Sequence, residues 1–597
     1  MTDVVSRPPV AETDPAPDHG LRSRLAGAYL TWLPLLLIAF GIALRLRQYA
    51  SRRSLWLDEA YLSLSITDFD YGELSSRLLY DQAAPLGYLW AAKTSVLLIG
   101  NNEYALRLPA LLAGVAALFL TWRLARRLLS AWLVPAAVGL VAVWPKLVYY
   151  SDEAKPYGVD VFAVLLVLWL TARWAEASRS RRTAVVWGLT AGIAIFFSFA
   201  ALFAAAAGGL AIAVKALLSR DGRRIVDTAL AGAVLGALLA VVYVVTIRVA
   251  AGNDVVRSAW LSGYAPLPLR ARTYASWLAD MATGFMTDPL EVQLTVVGLL
   301  LLALGVVAVV ARRRTVGLAV LLVPLVVLAA ATVQAYPVLL RFILFLVPLA
   351  LIVMTAALDV PKRLPRPASV VVSVLLAAGL AVTVVPPVLA GVGVLGRPMT
   401  VTETREIYAQ VAADARPGDG VVLHTAAVAT FQYYGEPLGL QQDAVVSMRR
   451  LPACDDQAQL AKLRSYDRVW VIFAHALSTE PDAVAVYRSR LDTVGTVVRT
   501  VTGEGNAAAV LYDLSQPPED VPEPLAPFVR GSAWSSRLEL PPDPQPSKDP
   551  ECLHTVSPGH LLALLAVAGA VGDRDLERAD AALEQFSGDL RFHPEPG

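Results

Sequence analysis

Apolar positions in this chain run in long unbroken stretches rather than alternating with polar ones. They fall near residues 28–46, 107–126, 132–150, 156–174, 184–199, 201–218, 226–247, 292–311, 316–334, 342–358 and 368–391. A helix rising 1.5 Å per residue needs about 20 apolar residues to cross the hydrocarbon of a bilayer. Each run is therefore expected to be a spanning helix, and the chain a polytopic α-helical membrane protein. A shorter run at 85–99, PLGYLWAAKTSVLLI, carries Lys93 and is too brief to cross. Composition agrees with this reading: 56% of the residues are hydrophobic and 17% charged, against roughly 25% charged in soluble domains.

The basic residues decide the topology, because Lys and Arg collect in short cytoplasmic loops. If 85–99 stays on the outer surface, the clusters at 22–24, 123–127, 173–182, 215–224, 312–314 and 362–366 all fall inside. That arrangement gives eleven spans, a cytoplasmic N-terminus and an extracytoplasmic C-terminus in a cell (plasma or inner) membrane. Residues 85–99 then form a helix lying along the outer surface. Arg45, Arg47, Arg52 and Arg53 are the exception, since they follow the first span on its outer side. They suggest an outer site that wants positive charge. Residues 1–26, rich in Pro, Asp and Ala, are expected to be a disordered cytoplasmic tail. The net charge of +1 singles out no partner, and no basic, aromatic stretch points to nucleic acid.

This topology sorts the chemistry to one face. The outer first loop, 47–106, holds the pair Asp58–Glu59 and also Asp81. The second, YYSDEAKPYGVD, holds Glu153, Lys155, Tyr157 and Asp160; a later one, QAYPVLLRF, ends in Arg341. Ionisable groups at a membrane boundary are costly, which favours a functional reading. A carboxylate serves as general base on an acceptor hydroxyl or amine. A nearby Arg or Lys holds a phosphate, Arg with forked geometry. Base and phosphate clamp together imply group transfer from a lipid phosphate. The structural alternatives are simple: Asp58 as a helix cap, Lys155 paired with Glu153, Arg341 snorkelling at a helix end, Tyr157 in an interfacial aromatic belt.

The segments LWLDEAYLSLS, NNEYALRLPALLAGVAALFLTWRLARRLL, SDEAKPYGVDVFAVLLVLWL and YPVLLRFILFLVPLALI resemble, in this order, the core of the GT-C glycosyltransferases. The likeness extends over about 28–390, and its nearest group contains the lipid A aminoarabinose transferase, the protein O-mannosyltransferases and rhizobial lipopolysaccharide-core transferases. It implies a GT-C-like transmembrane domain over 27–392. It further implies inverting transfer of a sugar from a polyprenyl-phosphate donor to a lipid, polysaccharide or protein acceptor of the cell envelope, on the outer face. Asp58 matches the position of the base or acceptor positioner, Glu59 its neighbour, and Asp160 a second acidic position. Glu153, Lys155 and Tyr157 fall in an EARPY-like stretch, and Arg341 matches a basic residue suited to the donor phosphate. The chain departs from the aminoarabinose transferases at Ala83 and Ala84, where those enzymes place an acid and a lysine before the proline. Asp81 is then the candidate for the acid. These changes leave the donor open and argue against a true aminoarabinose transferase.

No metal site is expected, since none of the six histidines has ligand spacing. Some members of the superfamily use a divalent cation on carboxylates, which leaves Asp58 with Asp152 or Asp160 as a conceivable pair. Beyond 392 the composition changes. Residues 397–515 read as an extracytoplasmic α/β domain, and 516–597 as a Pro-rich linker with a helical tail. Cys454 and Cys552 both lie out here, either bridged in an oxidising compartment or free. Two rival functions are a lipid-linked sugar flippase and a non-catalytic scaffold with a GT-C fold. A flippase would place ionisable residues at mid-bilayer, whereas the helix centres here are mainly uncharged.

Overall fold

The computed structural model describes residues 19–515 except 178–180, 252–259, 364, 447–462, 464–465, 476–487, 489–490, 493–494 and 504–506. Cys454, Cys552, the Pro-rich linker and the helical tail lie outside the described residues.

The protein is mostly helical, with a small sheet at its C-terminal end. In chain order come α1 (His19–Ala50), α2 (Leu57–Asp68), α3 (Leu86–Ile99), α4 (Glu103–Leu128), α5 (Val134–Val143) and α6 (Pro145–Tyr149). There follow α7 (Tyr157–Glu176), α8 (Arg181–Phe197), α9 (Ala201–Leu218), α10 (Gly222–Val242), α11 (Ala271–Thr287), α12 (Thr295–Arg312) and α13 (Arg314–Thr332). The last helices are α14 (Val347–Ala356), α15 (Arg366–Gly393), α16 (Arg405–Asp414) and α17 (Val428–Tyr434). Among the described residues nine helices are long and apolar enough to span a membrane, and α5 with α6, bent by 59°, would make ten. The eleventh expected span is α8, which at 17 residues is the shortest of the series. Helix α1 begins at His19, inside the stretch expected to be disordered. The reason is local: LRSRLAGA continues into the first span with Leu, Arg and Ala, good helix formers, at six of eight positions and no proline.

Two local devices shape the bundle near its charged end. Pro145 breaks the α5–α6 span because it has no N–H to donate to the carbonyl four residues back. Arg45 fills the gap, donating to the carbonyl oxygens of Ala142 at 2.9 Å and Val141 at 3.5 Å. The second device is close approach. A Cβ on Gly114 of α4 would meet the Ser151 Cβ at 2.4 Å, so only glycine lets α4 pack against the segment that carries Asp152 and Glu153.

The 14-residue α3 starts after Pro85 and ends at Gly100, whose φ of +97° suits glycine. Lys93, awkward in an apolar run, is buried and donates from Nζ to the Thr67 carbonyl at 2.8 Å. The tip residues Leu97, Leu98 and Ile99 stay exposed.

The C-terminal sheet has strands β1 (Gly420–His424), β2 (Ala444–Val446), β3 (Arg468–Ala474), β4 (Thr496–Thr502) and β5 (Ala507–Asp513) in the order β2-β1-β3-β5-β4. β1 runs parallel to β2 and β3, while β5 pairs antiparallel with β3 and β4. Alternation along β3 splits its side chains between two cores. Val469, Val471 and Phe473 join a core on one face. Trp470, Ile472 and Ala474 join the other, which also contains α16, α17 and residues between α1 and α4 such as Leu55, Leu62 and Leu86. The sheet unit and that loop therefore share one hydrophobic core. Hydrogen bonds between Gln48 and the Met399 backbone, at 2.8 and 2.9 Å, tie the end of α1 to the chain just after the last span.

Candidate active site

The charged loops that the sequence sorts to one side meet at one end of the bundle. Asp58 lies in the first turn of α2. Its Oδ2 accepts from Arg341 Nη2 at 2.7 Å and its Oδ1 from Lys155 Nζ at 3.1 Å. Residues 283 positions apart thus share one ion pair. Arg341 Nε also donates to the Tyr157 hydroxyl at 3.0 Å. Its guanidinium lies 5.2 Å from the ring centres of both Trp56 and Trp260, two cation–π contacts that help fix the fork. Lys155 Nζ reaches a second acceptor, Gln82 Oε1, at 2.6 Å.

Directly behind stands a buried lattice of charge. Glu59 accepts from Arg107 Nε and Nη2 at 2.8 and 2.7 Å, from Arg53 Nη1 at 3.3 Å and from the Ala154 N–H at 2.7 Å. Arg53 also donates from Nε to Asp152 Oδ2 at 3.2 Å. Arg107 Nη1 returns to the Arg53 carbonyl at 2.7 Å. This lattice bolts α2, α4 and the 150–156 segment together. It also accounts for the arginines after α1 that suggested a site wanting positive charge. Arg45 serves the α5–α6 break, Arg52 and Arg53 pair with Glu103, Glu59 and Asp152, and Arg47 donates to the Leu395 carbonyl.

Exposure separates the roles. The side chains of Glu59, Arg53, Arg107 and Asp152 are 0–1% exposed, whereas Asp58 keeps 18%, Arg341 14% and Lys155 6%. Asp58 is the carboxylate of this group that a substrate can touch. Burial alone would push its carboxyl up, but Lys155 and Arg341 hold it below the ordinary value. Burial also outweighs Asp58 at Lys155, leaving that ammonium below its usual value. The three groups, two cations and one carboxylate, carry one net positive charge.

The other predicted residues are placed differently. Asp160 on α7 accepts from Ser198 Oγ at 2.6 Å and is not brought against Asp58. Asp81 pairs with Arg77, at 2.8 Å from its Nε; its neighbour Gln82 is the residue of that turn that reaches Lys155. Glu153 accepts from Trp56 Nε1 at 2.8 Å through Oε1, while its buried Oε2 has no hydrogen-bond partner among the described residues. Burial, then the adjacent Glu59 carboxylate, pushes Glu153 up to about 7. A carboxyl raised in the folded state favours folding when protonated. Its contribution is whole below the unfolded value and is lost as pH rises through about 7. Glu153→Gln keeps the Trp56 contact without the charge. We expect it to flatten the fall in melting temperature between about pH 5 and pH 8 and to melt above wild type at the upper end. Thermal unfolding in detergent at the two pH values checks this.

Trp56, Trp260, Gln82 and Arg107 were missed in the sequence. The signal for Arg107 was present: an arginine a few residues inside an apolar run demands a buried partner. A cavity of about 500 Å³ opens beyond Trp260, lined by Tyr264, Thr273, Trp277, Asp280 and Gln334 among others. None of Asp58, Lys155 or Arg341 lines it. Among the described residues no group of three or more His, Cys, Asp or Glu could hold a metal ion.

Comparison with known proteins adds the following. No curated protein matches the chain. Among solved structures, ArnT from Cupriavidus metallidurans in the apo state has 16% identity and a TM-score of 0.47, covering 80% of this chain and 97% of that one. The archaeal oligosaccharyltransferase AglB from Archaeoglobus fulgidus, in complex with an inhibitory peptide and a dolichol-phosphate, has 11% identity and a TM-score of 0.47. It covers 82% of this chain and 75% of that one. Residues 83–248 match the family model described as dolichyl-phosphate-mannose-protein mannosyltransferase, a stretch that contains Arg107, Glu153, Lys155, Tyr157 and Asp160 and omits Asp58 and Arg341. The resemblance to GT-C glycosyltransferases read from the sequence motifs is thus borne out over that stretch of the chain.

Proposed function

We propose that the protein is an inverting membrane glycosyltransferase that moves a sugar from a polyprenyl-phosphate donor to a cell-envelope acceptor on the outer face of the membrane. The observation that carries this reading is the partly exposed Asp58 carboxylate held between Arg341 and Lys155. Such a set offers a base and a phosphate clamp within one hydrogen-bonded cluster. The match to a mannosyltransferase family over 83–248 supports the same chemistry. So does the bundle of apolar helices, which would keep a polyprenyl tail in the bilayer while its phosphate meets the cluster.

In this reading the donor phosphate takes over Arg341 and Lys155, and Asp58 is released. The acceptor's oxygen or nitrogen attacks the anomeric carbon, and the bond from that carbon to the phosphate oxygen breaks. The electron pair leaves with the phosphate, whose charge Arg341 and Lys155 balance, and the acceptor's proton passes to Asp58. Glu59, Asp152 and the two buried arginines hold the frame. Trp56 and Tyr157 fix the Arg341 fork.

The test is to incubate the purified protein with a panel of polyprenyl-phosphate sugars and membrane lipid extract, and to follow released polyprenyl phosphate by mass spectrometry. Release from one donor supports the reading; inertness on all of them counts against it. Arg341→Lys sharpens the result. Lysine keeps the charge but loses the fork and the planar guanidinium contact with two tryptophans. The donor KM is expected to rise about 10–100-fold, the worth of a charge-assisted hydrogen bond. An unchanged KM would remove Arg341 from the phosphate site.

A further inference from the structure

The chain entering α2 is held from far away. Ser54 N–H is accepted by both carboxylate oxygens of Glu403, at 3.2 and 3.1 Å. Leu55 N–H is accepted by the Tyr434 hydroxyl at 2.8 Å. Leu57 N–H, in the first turn of the helix that carries Asp58, is accepted by His475 Nε2 at 2.8 Å. All three acceptors come from the region beyond the last span. The first N–H groups of a helix have no partner within it and usually find one in a preceding Ser, Thr, Asp or Asn. Here that position is Trp56, whose side chain has no oxygen to offer.

We infer that His475, at the end of β3 in the C-terminal sheet unit, is a positioning residue for Asp58: it caps α2 in trans and sets where the carboxylate stands. This rests on the transferase reading above. The hydrogen bonds fix the imidazole's form. A backbone N–H can only donate, so Nε2 is unprotonated; the proton sits on Nδ1, which faces Thr402 Oγ1 at 2.9 Å. Burial keeps the ring neutral, pulling it down to about 4. His475 has a φ of +61°, a backbone geometry that a residue other than glycine keeps only when its surroundings impose it. Its ring also meets Trp56 edge-on at 6.2 Å, and Trp56 in turn stacks on Arg341. One side chain thus touches the cap of the helix bearing the base and the aromatic that seats the clamp. The sheet unit would therefore be part of the active site and not an appendage.

The test uses the full-length chain with His475→Ala, His475→Gln and Thr402→Val. Gln places an oxygen near the Nε2 position and accepts the same N–H. A misplaced base costs turnover, not donor affinity. His475→Ala is expected to lower kcat about 10–100-fold with the donor KM held within about threefold. His475→Gln should recover most of that loss. Thr402→Val, which leaves the Nδ1 proton without its acceptor, should give a smaller kcat loss of the same kind, and it serves as the probe if the alanine variant fails to fold. Full kcat in His475→Ala, or in Thr402→Val where the alanine variant does not fold, overturns the inference while leaving the transferase reading intact. So does a His475→Gln protein no better than the alanine variant. A wild-type protein inert on every donor sinks both.

Discussion

Asp58→Asn is expected to lower sugar transfer by about 10²–10⁴-fold, the usual contribution of a positioned general base, and at the same time to tighten donor binding. The two effects have one origin. In the resting protein the Asp58 carboxylate occupies both cations, Arg341 at 2.7 Å and Lys155 at 3.1 Å. A donor phosphate has to compete with it for them. Asparagine has nearly the same shape but no charge, so the clamp is left open to the phosphate while the acceptor proton loses its destination. The donor KM should fall as kcat falls, a pattern that a misfolded protein does not produce. Release of polyprenyl phosphate, measured over a range of donor concentrations, gives both constants. Equal kcat in variant and wild type would remove Asp58 as the base. Reduced kcat with a weakened KM would mean that the carboxylate helps to hold the donor and does not compete with it. Stability offers a second readout. Two cations left facing each other should lower the melting temperature of the variant without lipid, and polyprenyl phosphate should restore it.

How far the sequence could see is clearest residue by residue. The spans were legible because bilayer thickness imposes a length on apolar runs, and the basic clusters between them imposed an order. Asp58, Lys155, Tyr157 and Arg341 could be named because the topology puts three loops on one side, and the structure places these residues within hydrogen-bonding distance of one another. Apart from the family resemblance, which put Asp58 at the base position and Glu59 beside it, the residue pattern could not distinguish which member of the charged pair faces the site. Asp58 and Glu59 are adjacent, yet successive residues on a helix point about 100° apart. One meets the site, while the other meets Arg107 and Arg53 in the interior. Asp81 and Gln82 divide in the same way at a turn where Tyr80 and Asp81 both have positive φ. The run of arginines after α1 suggested a site that wants positive charge because most of its partners lie far along the chain: the broken helix 97 positions from Arg45, Glu103 51 from Arg52 and Asp152 99 from Arg53, although Glu59 is 6 from Arg53. His475 carried no local signal. Its role depends on a helix start 418 positions away whose N-cap side chain offers no acceptor of its own. Pairings of that kind arise from packing between units, and no periodicity records them.

Glu59→Gln separates frame from chemistry, and its expected effect on stability is the largest: a loss of about 3–5 kcal/mol, the cost of breaking a buried ion pair from one side. Glu59 accepts from two arginines, the Ala154 N–H and the Trp56 N–H, and its side chain is fully buried. Glutamine supplies one oxygen and turns an NH2 toward donors that have nowhere else to point. The two guanidiniums then keep only the Asp152 carboxylate between them, so a net positive charge remains in a site closed to water. Replacing the whole lattice with apolar side chains could cost far less, because the penalty comes from the stranded charges and not from the absence of a salt bridge. A Glu59→Gln protein should therefore melt well below wild type in detergent. Polyprenyl phosphate should raise both melting temperatures alike and leave the gap between them, since the lesion lies behind the site and not in it. Activity should fall in step with the folded fraction, with the donor KM of the surviving fraction unchanged. If instead Glu59→Gln melts with wild type but loses turnover, the carboxylate next to Asp58 takes part in the reaction. The division of labour drawn from 0% against 18% side-chain exposure would then have to be reversed.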